Sequence, residues 1–209
     1  RLVLTYCSNS DLSERAMASI SRGSRDSSAC SSTALPCNEP SCSWIFSTAT
    51  RVVQAHNGVI EAFQSDAIIA VWNGELQQAT TAASTNHARQ ALQAAIDLQA
   101  AIRGVLPNPA PEGLEPLSLG VGVETGPAMA GSFGLASRRT HMVMGRTVTI
   151  ASRLVEMTAD LAHPILVGEG LAGQVGGAGL QSMGTFLLDG MRVPHHVYAH
   201  PLDAALRID

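Results

Sequence analysis

Residues 63–73, FQSDAIIAVWN, set one carboxylate, Asp66, in a short polar turn before an apolar run. A carboxylate there can help hold a divalent cation, or it can simply make the turn, because Asp tolerates that backbone. Residues 120–126, GVGVETG, invite a dinucleotide-binding reading. The spacing is wrong, since G-x-G-x-x-G needs its third glycine at 125, where Thr125 stands, and the acidic residue expected about 20 positions on is missing. There is no G-K-[ST] and no Ser-His-Asp or Cys-His signature. His195 and His196 are adjacent, so a strand would point them to opposite faces, while His141 and His163 stand alone. Cys7, Cys30, Cys37 and Cys42 contain no C-x-x-C pair and no histidine lies among them, so they read as free thiols rather than a metal cluster.

The elements that must position these groups belong to a chain of 209 residues, enough for one domain with a substantial core. The chain is 45% hydrophobic and 14% charged, with a net charge of −4. No basic stripe is present, which argues against nucleic acid as a partner. No apolar run approaches the roughly 18 residues of a membrane helix, and no signal-peptide pattern occurs. The chain begins at Arg1, so the expectation is part of a longer protein.

Residues 2–7 read as a buried strand, and 8–42 as an irregular Ser-rich segment with Pro36 and Pro40. Residues 43–56 place Ile45, Phe46, Ala49, Val52 and Val53 on one helical face, stopped by Asn57-Gly58. Val59–Phe63 and Ala67–Trp72 read as an antiparallel hairpin. Residues 86–103 are the clearest helix, with Asn86 as N-cap and a stripe of Ala88, Leu92, Ala95, Ile96 and Ile102. A loop is expected at 107–113, a strand at 117–123, a turn at 124–127 and a short helix or turn at 128–134. A strand at 141–144, a helix at 147–159 and strands at 164–167, 184–189 and 196–199 complete the order. The internal hairpin excludes a doubly wound parallel sheet.

Three segments resemble the class III nucleotidyl cyclases. HNGVIEAFQSDAIIAVWN, 56–73, is similar to the family's H-G-G-x-x-x-K-x-x-G-D-x-x-x-A-x-F hairpin. LGVGVETGPAMAGSFG, 119–134, resembles G-I-x-x-G-x-x-x-A-G-x-x-G, and HMVMGRTVTIASRLVEMT, 141–158, resembles Y-T-x-x-G-x-x-V-N-x-A-x-R-L. Order and spacing agree over roughly residues 50–200. The resemblance implies attack of a ribose 3′-hydroxyl on an α-phosphorus with loss of pyrophosphate. Two divalent metals about 4 Å apart assist it, held by one aspartate on the first strand and one in the hairpin.

Carried over by position, little of that set remains. Asp66 matches the hairpin aspartate, although Ser65 replaces the preceding glycine. Thr5 falls at the first-strand metal position, and Asp11 is the nearest carboxylate beyond it. The purine-reading Lys becomes Ala62, and its Asp or Thr partner becomes Met142. The ribose Asn becomes Thr149, Arg153 matches the transition-state Arg, and the phosphate Lys becomes Asp189, a charge reversal. Asp66 could equally be a turn residue, Arg153 a solvated or carboxylate-paired arginine, and Ala62 and Met142 apolar filling of a lost pocket.

The expected fold class is α+β, a ferredoxin-like βαββαβ core sheet with helices packed on one face, as a single cyclase homology domain over 1–209. The expected role is in cyclic-nucleotide signalling, as a catalytically degenerate dimerisation or regulatory module. The alternative is an active adenylate or guanylate cyclase, converting ATP or GTP with a complementary partner chain. Mg²⁺ or Mn²⁺ is the implied cofactor if the chain is active, and none otherwise. The implied partners are a homodimer or a heterodimer with another cyclase-like domain, and ATP or GTP, in a cytoplasmic setting. An unrelated ferredoxin-like binding module is the third reading.

Overall fold

The computed structural model describes residues 3–6, 39–64, 67–72, 83–103, 119–135, 137–177 and 179–201. Nine strands and four helices follow in the order β1 (Val3–Tyr6), α1 (Glu39–Ala55), β2 (Val59–Gln64), β3 (Ala67–Val71), α2 (Ala83–Arg103), β4 (Val121–Val123), β5 (Met129–Leu135), β6 (Arg138–Met144), α3 (Arg146–Asp160), β7 (Ile165–Gly168), α4 (Glu169–Val175), β8 (Gln181–Phe186) and β9 (His195–Ala199), counted among the described residues.

Seven strands form one sheet in the order β2-β3-β1-β4-β7-β9-β8. Its first four, with α1 and α2 between them, are the ferredoxin-like βαββαβ unit: β1 lies between β3 and β4, antiparallel to both. β4 and β7 run parallel, which requires a crossover, and α3 provides it. β5 and β6 form a separate two-stranded ribbon between β4 and α3.

Alternation along the strands splits the core. Ile68, Ala70, Val121, Val123, Ile165 and Val167 pack against α1, α2 and α4. The residues between them face the other way: Leu166 packs with Ile150 and Leu154 of α3, and Ile69 with Ala151. The expectation of helices on one face therefore holds for α1, α2 and α4, while among the described residues α3 is the helix on the opposite face.

The expected α1 stripe is found, with Ala49 and Val53 buried and Ile45, Phe46 and Val52 packed beside them. The helix starts at Glu39, earlier than expected, because Pro40 is tolerated in a first turn. Asn57 ends it at φ 61°, and the Gly58 N–H closes onto the Val53 carbonyl at 2.8 Å. The α2 stripe is also found, but the helix begins at Ala83, so Asn86 lies within it rather than capping it.

Residues 128–134, expected as a short helix or turn, are strand β5, paired residue by residue with β6. Both faces of this ribbon are largely exposed, so no alternation marks it as a strand. β6 is longer than expected because its first half, Arg138-Arg139-Thr140, is polar. β8 ends before the apolar pair Leu187-Leu188 and carries a register shift between Ser182 and Gly184, where φ is 106°. The two-turn α4 was not expected; glycines dilute its apolar stripe of Leu171, Ala172 and Val175. Among the described residues no helix is long and apolar enough to cross a membrane. The expected loop at 107–113 and most of the Ser-rich segment, with Cys7, Cys30 and Cys37, lie outside the described residues.

Candidate functional site

Helix α3 builds the centre of the site. It can lie close on the sheet because Gly122 of β4 has no side chain; a Cβ there would strike the Ala151 carbonyl and Val155. Ile150, Ala151, Leu154 and Val155 are buried against the strands. That leaves Thr149, Arg153 and Glu156, three or four residues apart, together on the outer side. The Thr149 hydroxyl donates back to the Gly145 carbonyl at 3.3 Å.

Arg153 donates from Nη1 to Glu156 Oε2 at 2.6 Å, and its Nη2 lies 3.3 Å from Asp189 Oδ2. The hydrogen bond and charge of Glu156, with the charge of Asp189, raise the guanidinium pKa above its ordinary value. Asp189 reaches this place because its neighbour Leu188 is buried in the cluster that contains Ile150 and Leu154. Two of the sequence-selected positions are thus brought into direct contact.

The other positions fall nearby or outside. Ala62 of β2 pairs with Ile69 and packs against the Ile69–Ala151 cluster, so it faces α3. Met142 lies on β6, opposite Gly131, and is 37% exposed. Thr5 is in mid-sheet, its backbone in register with Ile68 and Val121. Asp66 and Asp11 lie outside the described residues.

Among the described residues, no donor set for a pair of divalent cations is assembled. β1 reads Val-Leu-Thr-Tyr and supplies no carboxylate, and among the described residues no three His, Cys, Asp or Glu side chains converge. Mg²⁺ dehydrates reluctantly and favours sites with carboxylates plus phosphates.

Three further arrangements gave no sequence signal because their members are distant in the chain or looked like turn residues. His141 Nδ1 and Glu61 Oε1 form a hydrogen bond that ties β6 to β2, with Glu61 mostly covered. The Arg146 guanidinium donates to His195 Nε2 at 3.2 Å; burial first, and then the charge of Arg146, lower the His195 pKa. Glu124, at the end of β4, is 4% exposed. Its Oε1 accepts from the Thr125 N–H at 2.7 Å and the Leu171 N–H at 3.1 Å. Gly168 and Gly170 line its cradle, where any Cβ would collide with the carboxyl group. Burial pushes the Glu124 pKa up to about 7 against the opposing pull of those N–H donors.

Comparison with known proteins follows the same lines. Residues 74–169 match the family described as adenylate and guanylate cyclase catalytic domain. Adenylate cyclase 1 of Rhizobium meliloti (strain 1021) is 31% identical over 129 residues, 62% of this chain and 18% of that protein. The chain therefore spans about a fifth of the length of this sequence relative. The crystal structure of the adenylyl cyclase CyaB from P. aeruginosa superimposes with a TM-score of 0.67 at 17% identity, covering 95% of this chain and 92% of the other. The guanylate cyclase domain of RhGC from Catenaria anguillulae, solved in complex with GTP, gives 0.64 at 16% identity, covering 96% of each chain. Sequence and fold agree that this chain is a homologue of the class III adenylate and guanylate cyclase catalytic domains.

Proposed function

We propose that the chain is a class III cyclase homology domain that does not make cyclic nucleotide on its own and serves cyclic-nucleotide signalling as a dimerisation or regulatory module, in the cytoplasm. The observation that carries this reading is the packing of Ala62. Where the resemblance implies a purine-reading Lys, a methyl group packs against Ile69 and Ala151. It offers no donor to a base edge. Met142 adds a second apolar side chain, and β1 brings no carboxylate. Removing one transition-state donor typically costs about 3 kcal/mol, or roughly 10²–10³ in rate. Several are replaced here, and although such losses need not add, a symmetric dimer should turn over little or no substrate.

A second reading is favoured by Arg153, kept on a well-packed helix with its side chain 31% exposed. In it, a complementary cyclase-like chain completes a composite site that converts ATP or GTP, with Mg²⁺ or Mn²⁺ held largely by that partner. The test is cyclic nucleotide formation from ATP and GTP by the purified chain, with Mn²⁺ and then Mg²⁺, beside Asp66→Ala. No product with either metal is expected. Product that vanishes in Asp66→Ala would overturn the non-catalytic reading and require a second carboxylate at the site.

A further inference from the structure

We propose that Arg153 is a competent oxyanion-binding group masked by Asp189, an internal counter-ion standing where a phosphate would otherwise sit. The proposal rests on the above reading of the α3 face and names how that site is closed.

Three observations support it. First, the Arg153 side chain is 31% exposed on the outer side of α3. Its helix buries Ile150, Leu154 and Val155, which fixes the outward direction of residue 153. Second, the two carboxylates hold the guanidinium unequally. Glu156 sits three residues on along the same helix and takes Nη1 in a short hydrogen bond of 2.6 Å. Asp189 comes from the β8–β9 connection and meets Nη2 at 3.3 Å, longer than the about 2.7–2.9 Å of a good charge-assisted bond. Third, the edge Asp189 contacts is only half used. Nη2 and Nε form one side of the guanidinium fork, and Nε is buried with no hydrogen-bond partner among the described residues. That edge is suited to two parallel bonds to a carboxylate or phosphate, and Asp189 meets it only through the 3.3 Å ion-pair contact at Nη2.

The mask is also weakly held. The Asp189 side chain is 85% exposed, and an exposed ion pair contributes little to stability. Asp189 can therefore be changed without endangering the fold, and what it does to ligands is electrostatic. With Glu156 it sets two carboxylates against one cation, so an approaching phosphate meets net negative charge.

The experiment is calorimetric titration of the chain with inorganic pyrophosphate, without metal and at low ionic strength. Asp189→Asn should bind about tenfold or more tighter than the unaltered chain, the scale of one lost like-charge contact. Asp160→Asn makes the same charge change at the end of α3 and should stay at the starting affinity. Adding Arg153→Gln to Asp189→Asn should abolish the gain. Equal affinity in the unaltered chain and Asp189→Asn, or a gain that survives loss of Arg153, would overturn the proposal. Cyclic nucleotide made by the unaltered chain would instead overturn the non-catalytic reading, so the two failures are told apart.

Discussion

Glu124 shows how much one side chain can set at the residue scale. The backbone N–H groups of Thr125, Leu171 and Gly170 favour its charged form, yet burial outweighs them and its pKa rises from 4.5 to about 7. The charged neighbour acting on it is Glu169, which pushes in the same direction. The folded chain thus holds this proton over a range in which the unfolded chain has lost it. Stability from this group is greatest below pH 4.5 and is lost as pH rises through about 7. The shift corresponds to about 3 kcal/mol at most. Glu124→Gln keeps an oxygen for the Thr125 and Leu171 N–H groups without the charge. Its stability relative to the unaltered chain should therefore climb between pH 5 and pH 8, measured by urea unfolding at each pH. Parallel curves for the two proteins would show that Glu124 does not titrate in this window. In GVGVETG it resembles a turn residue, since nothing there tells that α4, some 45 residues later, closes over it.

At the scale of elements, the contact between β4 and α3 depends on glycine at a single position. Gly122→Ala would drive a methyl group into the Ala151 carbonyl and Val155, backbone and packed core that cannot simply rotate away. A loss of roughly 2 kcal/mol or more is expected, in line with overpacking. Gly173, inside α4, has no atom near its absent Cβ. Gly173→Ala should be neutral or stabilise by up to about 1 kcal/mol through helix propensity. Thermal unfolding of both variants checks the contrast, and equal Tm values would refute it. This contrast also explains what could be read in advance. α1, α2, α3 and the β2–β3 hairpin announce themselves because each has one face buried, and burial imposes period on sequence. β5 and β6 have no buried face, so residues 128–134 carried no period and were read as a helix or turn. The site divides in the same way. Arg153 and Asp189 were found by matching spacing to a family pattern, but their contact depends on Leu188 entering a core cluster, which no local pattern encodes.

For the whole molecule, the β5–β6 ribbon is the part that the single chain does not account for. Met129 and Leu135 are 60% and 79% exposed, and Met142 on the neighbouring strand is 37% exposed. A lone two-stranded ribbon is at best marginally stable in water, and here the Glu61–His141 hydrogen bond ties it to the main sheet at β2. A second copy of a cyclase-like domain, covering these side chains, would supply the missing burial. A stable interface of this kind needs about 1,200–2,000 Å² in total, so it must extend beyond these three side chains. Charge placed on the ribbon ought then to separate subunits without disturbing the core, because neither Met129 nor Leu135 belongs to a buried cluster. Met129→Glu combined with Leu135→Glu should shift sedimentation from dimer to monomer at micromolar concentration. The pH dependence assigned to Glu124 should survive in that monomer, because Glu124 is enclosed by its own chain. A monomer before mutation, or a dimer unchanged by both charges, would remove the ribbon from the interface and with it the dimerisation role proposed for this domain.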